Sequence, residues 1–416
     1  MGNRFLIITT LWIIADIYVF QAVKTALRGM KDPWRKRLLW LYWLFDILLA
    51  AILLWFIFTD SIRSTPRHVI GWIIGLMVLS LAPKVFILPF LLAEDAWRLI
   101  KAAVTGISRL FNKKEAGDKP VFDSRRKFIS RLALGVGAIP FAGTIYGMIK
   151  GKYDFTVHRI TLPFKDLPDA FNGLTITQLS DIHVGSFDSH HAVLKGIELA
   201  NKQNSDIIFF TGDLVNNSSD EMEGWVDIFS RLKAPMGKFS ILGNHDYGDY
   251  SEWPSAEAKA ANLKRLKEIH GELGFKLMLN ENLLLTRGNE SISLVGVENW
   301  GKKFTQYGDL NKAMQGVPDN NFKLLLSHDP THWEAQVLEH PGHIHLTLSG
   351  HTHGTQFGVE IPGFRWSPAQ YVYNQWAGTY HKNDQCIYVN RGFGYIGFPG
   401  RVGIFPEITV ITLQKA

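Results

Sequence analysis

The run IHLTLS (344–349) leads into Gly350-His351-Thr352-His353-Gly354, which sets two imidazoles one residue apart between glycines. Four earlier apolar runs end in a similar way. LTITQLS (174–180) runs into Asp181-Ile182-His183, and DIIFFT (206–211) into Gly212-Asp213. KFSIL (238–242) runs into Gly243-Asn244-His245-Asp246, and FKLLLS (322–327) into His328-Asp329. Asp, Asn and His supply oxygen and nitrogen donors with no thiolate among them, a set that suits Mn, Fe or Zn. The donors are too many for one tetrahedral ion. Two divalent ions sharing a bridging carboxylate fit better, and paired ions of this kind serve displacement at phosphate esters.

The elements that must position these donors follow from the pattern around them. From residue 151 onward, short apolar runs alternate with polar, helix-like segments. Further strands are predicted at 292–297, 386–390 and 407–413, with helices at 190–203 and 255–273. This alternation predicts a layered α/β domain. Open α/β sheets gather ligands at the carboxyl edge of their strands, which separates two histidine pairs. Gly342-His343-Ile344-His345 lies at the start of its strand and is carried to the opposite edge, so His343 and His345 are expected to be surface or structural. His351 and His353 lie at the end. In an extended segment both would project to one side, with the glycines letting the backbone turn close to an ion.

The first 150 residues read differently. Apolar runs at 5–23, 38–58 and 69–93 are each near or above the ~20 residues a helix needs to cross a bilayer, and a weaker, uncharged run follows at 132–149. Tryptophan and tyrosine cluster around them, as interfacial anchoring favours. Residues 1–150 hold 21 Lys+Arg against 9 Asp+Glu, whereas 151–416 hold 23 against 29. The net charge of +6 therefore belongs to the membrane part and indicates no nucleic-acid partner. The single cysteine, Cys386, excludes a disulfide within the chain.

Basic residues also orient the spans. Lys24, Arg28, Lys31, Arg35, Lys36 and Arg37 fill the first loop, only Arg63 and Arg67 the second, and a basic series from Arg98 to Arg131 the third. The positive-inside rule puts the first and third loops in the cytoplasm. With four spans in the inner membrane, residues 151–416 then lie on the extracytoplasmic face; without the fourth they stay inside. Ser124-Arg125-Arg126-Lys127-Phe128-Ile129 resembles the twin-arginine export motif, and a plain basic flank is the alternative. Asp16, Asp46 and Lys84 lie within the first three runs. Charge at that depth is usually paired, so an interhelical Lys84–Asp bond is expected in preference to a transport path.

The series D-x-H (181–183), GD (212–213), GNHD (243–246), a lone histidine (328) and GHTH (350–353) resembles the calcineurin-like metallophosphoesterases, block by block and in that family's order. The tail, with YVNRGFGYIG and FPEITVITL, is similar to membrane-anchored bacterial members. The resemblance implies that Asp181, His183 and His353 hold one ion, that Asn244, His328 and His351 hold the second, and that Asp213 bridges them. It implies a catalytic role for His245 near the leaving group, oriented by Asp246. Asn216 stands where the family often has a second Asp, a departure that bears on metal preference.

The domains expected are three spans with basic loops over 1–123, the twin-arginine-like segment and fourth span over 124–150, and a metallophosphoesterase domain over 151–416. That domain is expected to be a layered β-sheet sandwich flanked by helices. Two ions would lower the pKa of a shared water enough for hydroxide to attack phosphorus near neutral pH. The substrate expected is a phosphodiester or pyrophosphate of a phospholipid or envelope molecule, with the aromatic segment 247–256 as an apolar wall beside the ions. The alternatives are a cytoplasm-facing nucleotide-sugar-lipid pyrophosphatase, a non-catalytic metal-binding receptor module, and a transporter with an attached domain. An intact His245 argues against the receptor.

Overall fold

Four long helices make the first part of the chain: α1 (Gly2–Ala26), α2 (Asp32–Thr59), α3 (Arg67–Phe111) and α4 (Asp123–Ile149). The computed structural model describes residues 2–59, 65, 67–111 and 123–416. Arg63 and several of the basic residues before α4 lie outside them. Among the described residues, Asp32–Phe56, Val69–Ile107 and Ser124–Ile149 are long and apolar enough to cross a bilayer. The weak run at 132–149 thus belongs to a helix of spanning length, because the twin-arginine-like residues continue it upstream. There Arg125 lies 3.3 Å from Glu94 and stacks on Trp97.

The chain divides into two compact units, Met1–Tyr146 and Gly147–Ala416. In the first, the expected interhelical pair is present and is larger than a pair. Lys84 of α3 pairs with Asp16 of α1 and lies 3.6 Å from Asp46 of α2. Ser80 donates to Asp46 at 2.8 Å and accepts from Lys84 and from the Trp12 indole. All three ionisable groups are buried.

The second unit is a sandwich of two six-stranded sheets. Its strands are β1 (Thr156–Phe164), β2 (Thr175–Leu179), β3 (Ile207–Phe210), β4 (Lys238–Ser240), β5 (Lys276–Leu277), β6 (Glu281–Arg287) and β7 (Glu290–Gly296). They continue as β8 (Lys323–Leu326), β9 (Leu346–Ser349), β10 (Val359–Ile361), β11 (Phe364–Trp366), β12 (Gly378–Lys382), β13 (Gln385–Val389) and β14 (Glu407–Lys415). One sheet is ordered β1-β14-β2-β3-β4-β5 and the other β12-β13-β9-β8-β7-β6, with β10-β11 a separate ribbon. Strands β2 to β5 run parallel to one another, as do β7, β8, β9 and β13.

Period-two alternation explains how the inner strands read as unbroken apolar runs. Ile207 and Phe209 of β3 meet Ile176, Leu324, Leu326, Leu346 and Leu348 between the sheets. Ile208 and Phe210 turn outward onto α5 (His190–Asn201) and α6 (Ala256–Glu272), through Val193, Ile197, Leu266 and Ile269. Leu325 of β8 points to the opposite side, against Trp333 and Val337. Ser189 and Ser255 cap the two helices by accepting from Ala192 and Ala258. All eight predicted strands are present. The six that sequence reading missed are β1, β5, β6 and β12 at the sheet edges and the β10-β11 ribbon.

Candidate metal centre

Five loops meet at the carboxyl ends of β2, β3, β4, β8 and β9. Their backbones interlock: Asp181 N–H donates to Gly212 O, and the amides of Ile182 and His183 donate to Asp213 O. The approach is close enough that a Cβ on Gly243 would overlap the Asp213 carboxylate, and one on Gly350 would overlap Ser180 Oγ and Asp181 Oδ2. Five donors stand in left-handed backbone: Asp181 (φ +51°), His183 (+50°), Asp213 (+61°), His351 (+72°) and His353 (+51°). Such conformations cost about 1–3 kcal/mol each and persist where surrounding structure imposes them, commonly at functional sites.

The structure brings the donors into two groups, Asp181 with His183 and His353, and Asp213 with His328 and His351. In the first, His353 Nε2 lies 3.2 Å from Asp181 Oδ1. In the second, His328 Nε2 lies 3.1 Å from Asp213 Oδ2, 3.2 Å from Asn244 Oδ1 and 3.2 Å from His351 Nδ1. Asp213 Oδ2 is also 3.5 Å from His183 Nε2, so this carboxylate reaches both groups.

These residues fit a pair of cations. Both ring nitrogens of His183 and Nε2 of His353 are buried with no hydrogen-bond partner, which native structures rarely tolerate without an ion or water to satisfy them. The ring nitrogens of His328 and His351 face each other, an arrangement that a shared cation satisfies. Burial holds the imidazoles of His183, His351 and His353 below their ordinary pKa, in the neutral form that ligates metal. Burial would raise the Asp213 carboxyl, but His328 and His245 hold it well below the usual range. Burial opposes charge on His328 too, yet the Asp213 carboxylate pushes it up to about 10. The same carboxylate field would favour a bound cation, which would take the place of that proton.

Two expectations are corrected. The GHTH segment is not extended: Thr352 is right-handed (φ −77°) between two left-handed histidines, so the rings part and enter different groups. Nor does Asp246 orient His245. Asp246 is fully buried and accepts from the amides of Asp213, Leu214, Val215 and Gly243, bracing the β3 loop against the β4 loop. Burial and the nearby Asp213 push its pKa up to about 7. The His245 ring instead lies with Nδ1 2.8 Å from the Asn216 carbonyl, and the His245 amide donates to Asp213 Oδ1. Asn216 itself exchanges hydrogen bonds with Ser186.

His343 and His345 join neither group. His345 is buried as a structural residue, with Nδ1 accepting from the Lys323 amide and its ring on Phe322. In the segment 247–256, Tyr250 reaches the site: its hydroxyl accepts from Asn244 Nδ2 at 2.9 Å, and its ring lies 4.7 Å from that of His245. Tyr247 and Trp253 pack elsewhere, on Tyr307 and Gly248.

Sequence reading missed several neighbours. The Tyr373 hydroxyl lies 3.0 Å from His351 Nε2, and buried Asp329 Oδ2 lies 3.7 Å from the same nitrogen. Buried Arg401 has Nη2 3.1 Å from His353 Nδ1 and donates to the carbonyls of Arg391 and Gly394. Asp329 was within reach of the motif, being adjacent to His328. Tyr373 and Arg401 carry no local signal.

Residues 3–152 match a family model described as "Probable Calcineurin-like phosphoesterase, transmembrane domain", and residues 174–355 match "Calcineurin-like phosphoesterase". Among similar proteins is "Transmembrane protein with metallophosphoesterase domain" of Danio rerio, 27% identical over 65% of this chain and 60% of its own length. "Uncharacterized metallophosphoesterase YkuE" of Bacillus subtilis is 30% identical over 70% of this chain and 98% of its own. "Uncharacterized metallophosphoesterase YkoQ" of the same organism is 26% identical over 67% and 97%. The chain thus spans less than two thirds of the Danio relative and nearly all of the two Bacillus relatives.

Proposed function

Because this chain belongs to the calcineurin-like metallophosphoesterases, we propose that it is a membrane-anchored, two-metal hydrolase of a phosphodiester or pyrophosphate, with a lipid or envelope molecule as substrate. Its catalytic unit works on the extracytoplasmic face of the inner membrane. The observation that carries the reading is one buried carboxylate, Asp213, within 3.5 Å of a histidine in each of two donor groups. Asp181, His183 and His353 would hold one divalent ion, Asn244, His328 and His351 the other, and Asp213 both. When bound, such ions supply Lewis-acid polarisation of the phosphoryl oxygens and lower the pKa of water.

The chain's own residues do the rest. With Nδ1–H donating to the Asn216 carbonyl, the His245 ring is fixed and Nε2 is left to give a proton to the departing oxygen. Tyr250 holds the Asn244 amide nitrogen, so the amide oxygen is presented to the second group. Asp246 keeps the two loops at constant separation through its four amide bonds.

The test uses the full chain in detergent micelles, chelator-treated and reloaded with Mn²⁺, on bis-p-nitrophenyl phosphate and p-nitrophenyl phosphate. Diester cleavage that disappears on chelation and falls by about 10³-fold or more in Asp213→Asn is expected, since a shared ligand and its charge are lost together. Retained turnover in Asp213→Asn would overturn the reading. Alkaline phosphatase fused to the C-terminus should be active, and an inactive fusion would place the unit inside.

A further inference from the structure

Among the described residues of the Gly147–Ala416 unit, eight large hydrophobic side chains are exposed. Five of them crowd into residues 359–372: Val359 (43% exposed), Ile361 (58%), Phe364 (54%), Tyr371 (76%) and Val372 (55%). Three belong to the β10-β11 ribbon, whose register pairs Val359 with Trp366, Glu360 with Arg365 and Ile361 with Phe364. Residues opposite each other share a face of such a ribbon. One face is therefore Val359, Ile361, Phe364 and Trp366, and the other is Glu360 and Arg365.

The ribbon leaves three residues of its apolar face, Val359, Ile361 and Phe364, exposed to water although its polar face has partners of its own. Glu360 accepts from the buried guanidinium of Arg391 at 2.6 Å, and Arg365 lies over the Trp376 ring. An antiparallel element over a core normally buries its apolar face and leaves the polar one wet, and apolar patches left outside commonly mark contact sites. The tip is Pro362-Gly363, with Gly363 at φ +81°, as the third residue of a type II turn requires.

The patch continues towards the candidate metal centre. Trp366 Nε1 lies 3.4 Å from the Tyr371 hydroxyl. Val372 lines a cleft of about 130 Å³ together with Phe304, Asp329 and Tyr373, and with the exposed Lys302 and Lys303. At its inner end the Tyr373 hydroxyl and the Phe304 ring both adjoin His351.

The chain's own tether argues for a bilayer as the occupant of this patch. The spanning helix α4 ends at Ile149 and the first strand begins at Thr156, so the chain enters the unit directly from a span. Aromatic and aliphatic side chains with lysines beside them suit a membrane interface carrying anionic headgroups. We propose that the outer face of β10-β11, with Tyr371 and Val372, enters the bilayer interface and passes lipid phosphoesters along the cleft to His351. The second half of this statement rests on the phosphoesterase reading; the first does not.

The test separates the two halves. The full chain, one copy per nanodisc of phosphatidylcholine and phosphatidylglycerol, carries an environment-sensitive label at Phe364→Cys or, as control, at the exposed Glu257→Cys on α6. The native Cys386 thiol is buried, which leaves the introduced cysteine as the reactive one. Spin-labelled lipids should quench the label at 364 severalfold more than at 257. Equal quenching would overturn the proposal. A blue shift that appears only as copies per disc increase, without lipid quenching, would assign the patch to a second copy and overturn it too. In parallel, Ile361→Asp/Phe364→Asp should lower kcat/KM on a disc-borne lipid phosphoester by about tenfold, as loss of one or two buried apolar side chains implies. Hydrolysis of bis-p-nitrophenyl phosphate should be unchanged. A parent chain that hydrolyses neither substrate would defeat the phosphoesterase reading, and quenching would still decide the bilayer contact.

Discussion

At the scale of single residues, the chemistry depends on side chains that touch the donors as much as on the donors. Asn244 would be the weakest ligand type of the proposed set, and its amide would serve only if the oxygen, not the nitrogen, faces His328. The Tyr250 hydroxyl settles this by accepting from Nδ2. Tyr250→Phe removes that acceptor while keeping the ring against His245. Metal affinity of the second group should fall by roughly 10–100-fold, the range found when a ligand's supporting hydrogen bond is lost. Titration with Mn²⁺ after chelation measures it, and unchanged affinity would show that the backbone alone sets the amide.

Elements explain why these residues meet. Parallel strands β2, β3 and β4 of one sheet and β8 and β9 of the other each end in a loop carrying donors. The pairing of the two sheets therefore decides whether the donors converge. Glu407 at the start of β14 is one fastening between them: it accepts from the Tyr388 hydroxyl of β13 in the opposite sheet and from Arg391. Burial would raise this carboxyl, but Arg391 and the hydroxyl donors push it down to about 2, against an ordinary value of 4.5. A folded-state pKa below the unfolded one means the unfolded chain binds the extra proton first. This contribution to stability is thus fully present above about pH 4.5 and is lost as the pH falls towards 2. Unfolding midpoints measured between pH 6 and 3 should drop more steeply for the parent chain than for Glu407→Gln, which starts lower and responds less.

Across the whole molecule, each unit is organised about buried charge. In the Met1–Tyr146 unit, Lys84 answers both Asp16 and Asp46. Lys84→Met strands two carboxylates among apolar helices, and breaking such a set from one side costs roughly 3–5 kcal/mol. The helices of this variant should unfold at lower denaturant concentration, and adding Asp16→Asn and Asp46→Asn should recover much of the loss. Equal denaturation of parent and Lys84→Met would mean that the charges are solvated, which is the condition a transport path requires.

The amino-acid sequence by itself determined the long apolar helices, the eight inner strands and the candidate donors at their ends. Inner strands are buried on both faces and must be continuously apolar, so they are legible as runs. The strands left unread, β1, β5, β6, β12 and the β10-β11 ribbon, are edges with one wet side and no such run. The family resemblance implied which histidine of GHTH joins which group; what only the tertiary structure decided is how the two rings part, through left-handed backbone at 351 and 353 that spacing does not record. The tertiary structure also decided that Asn216 and not Asp246 holds His245, and that Tyr373 and Arg401 border the site. Those contacts join residues far apart along the chain, and local pattern carries no record of what a fold brings together at that distance.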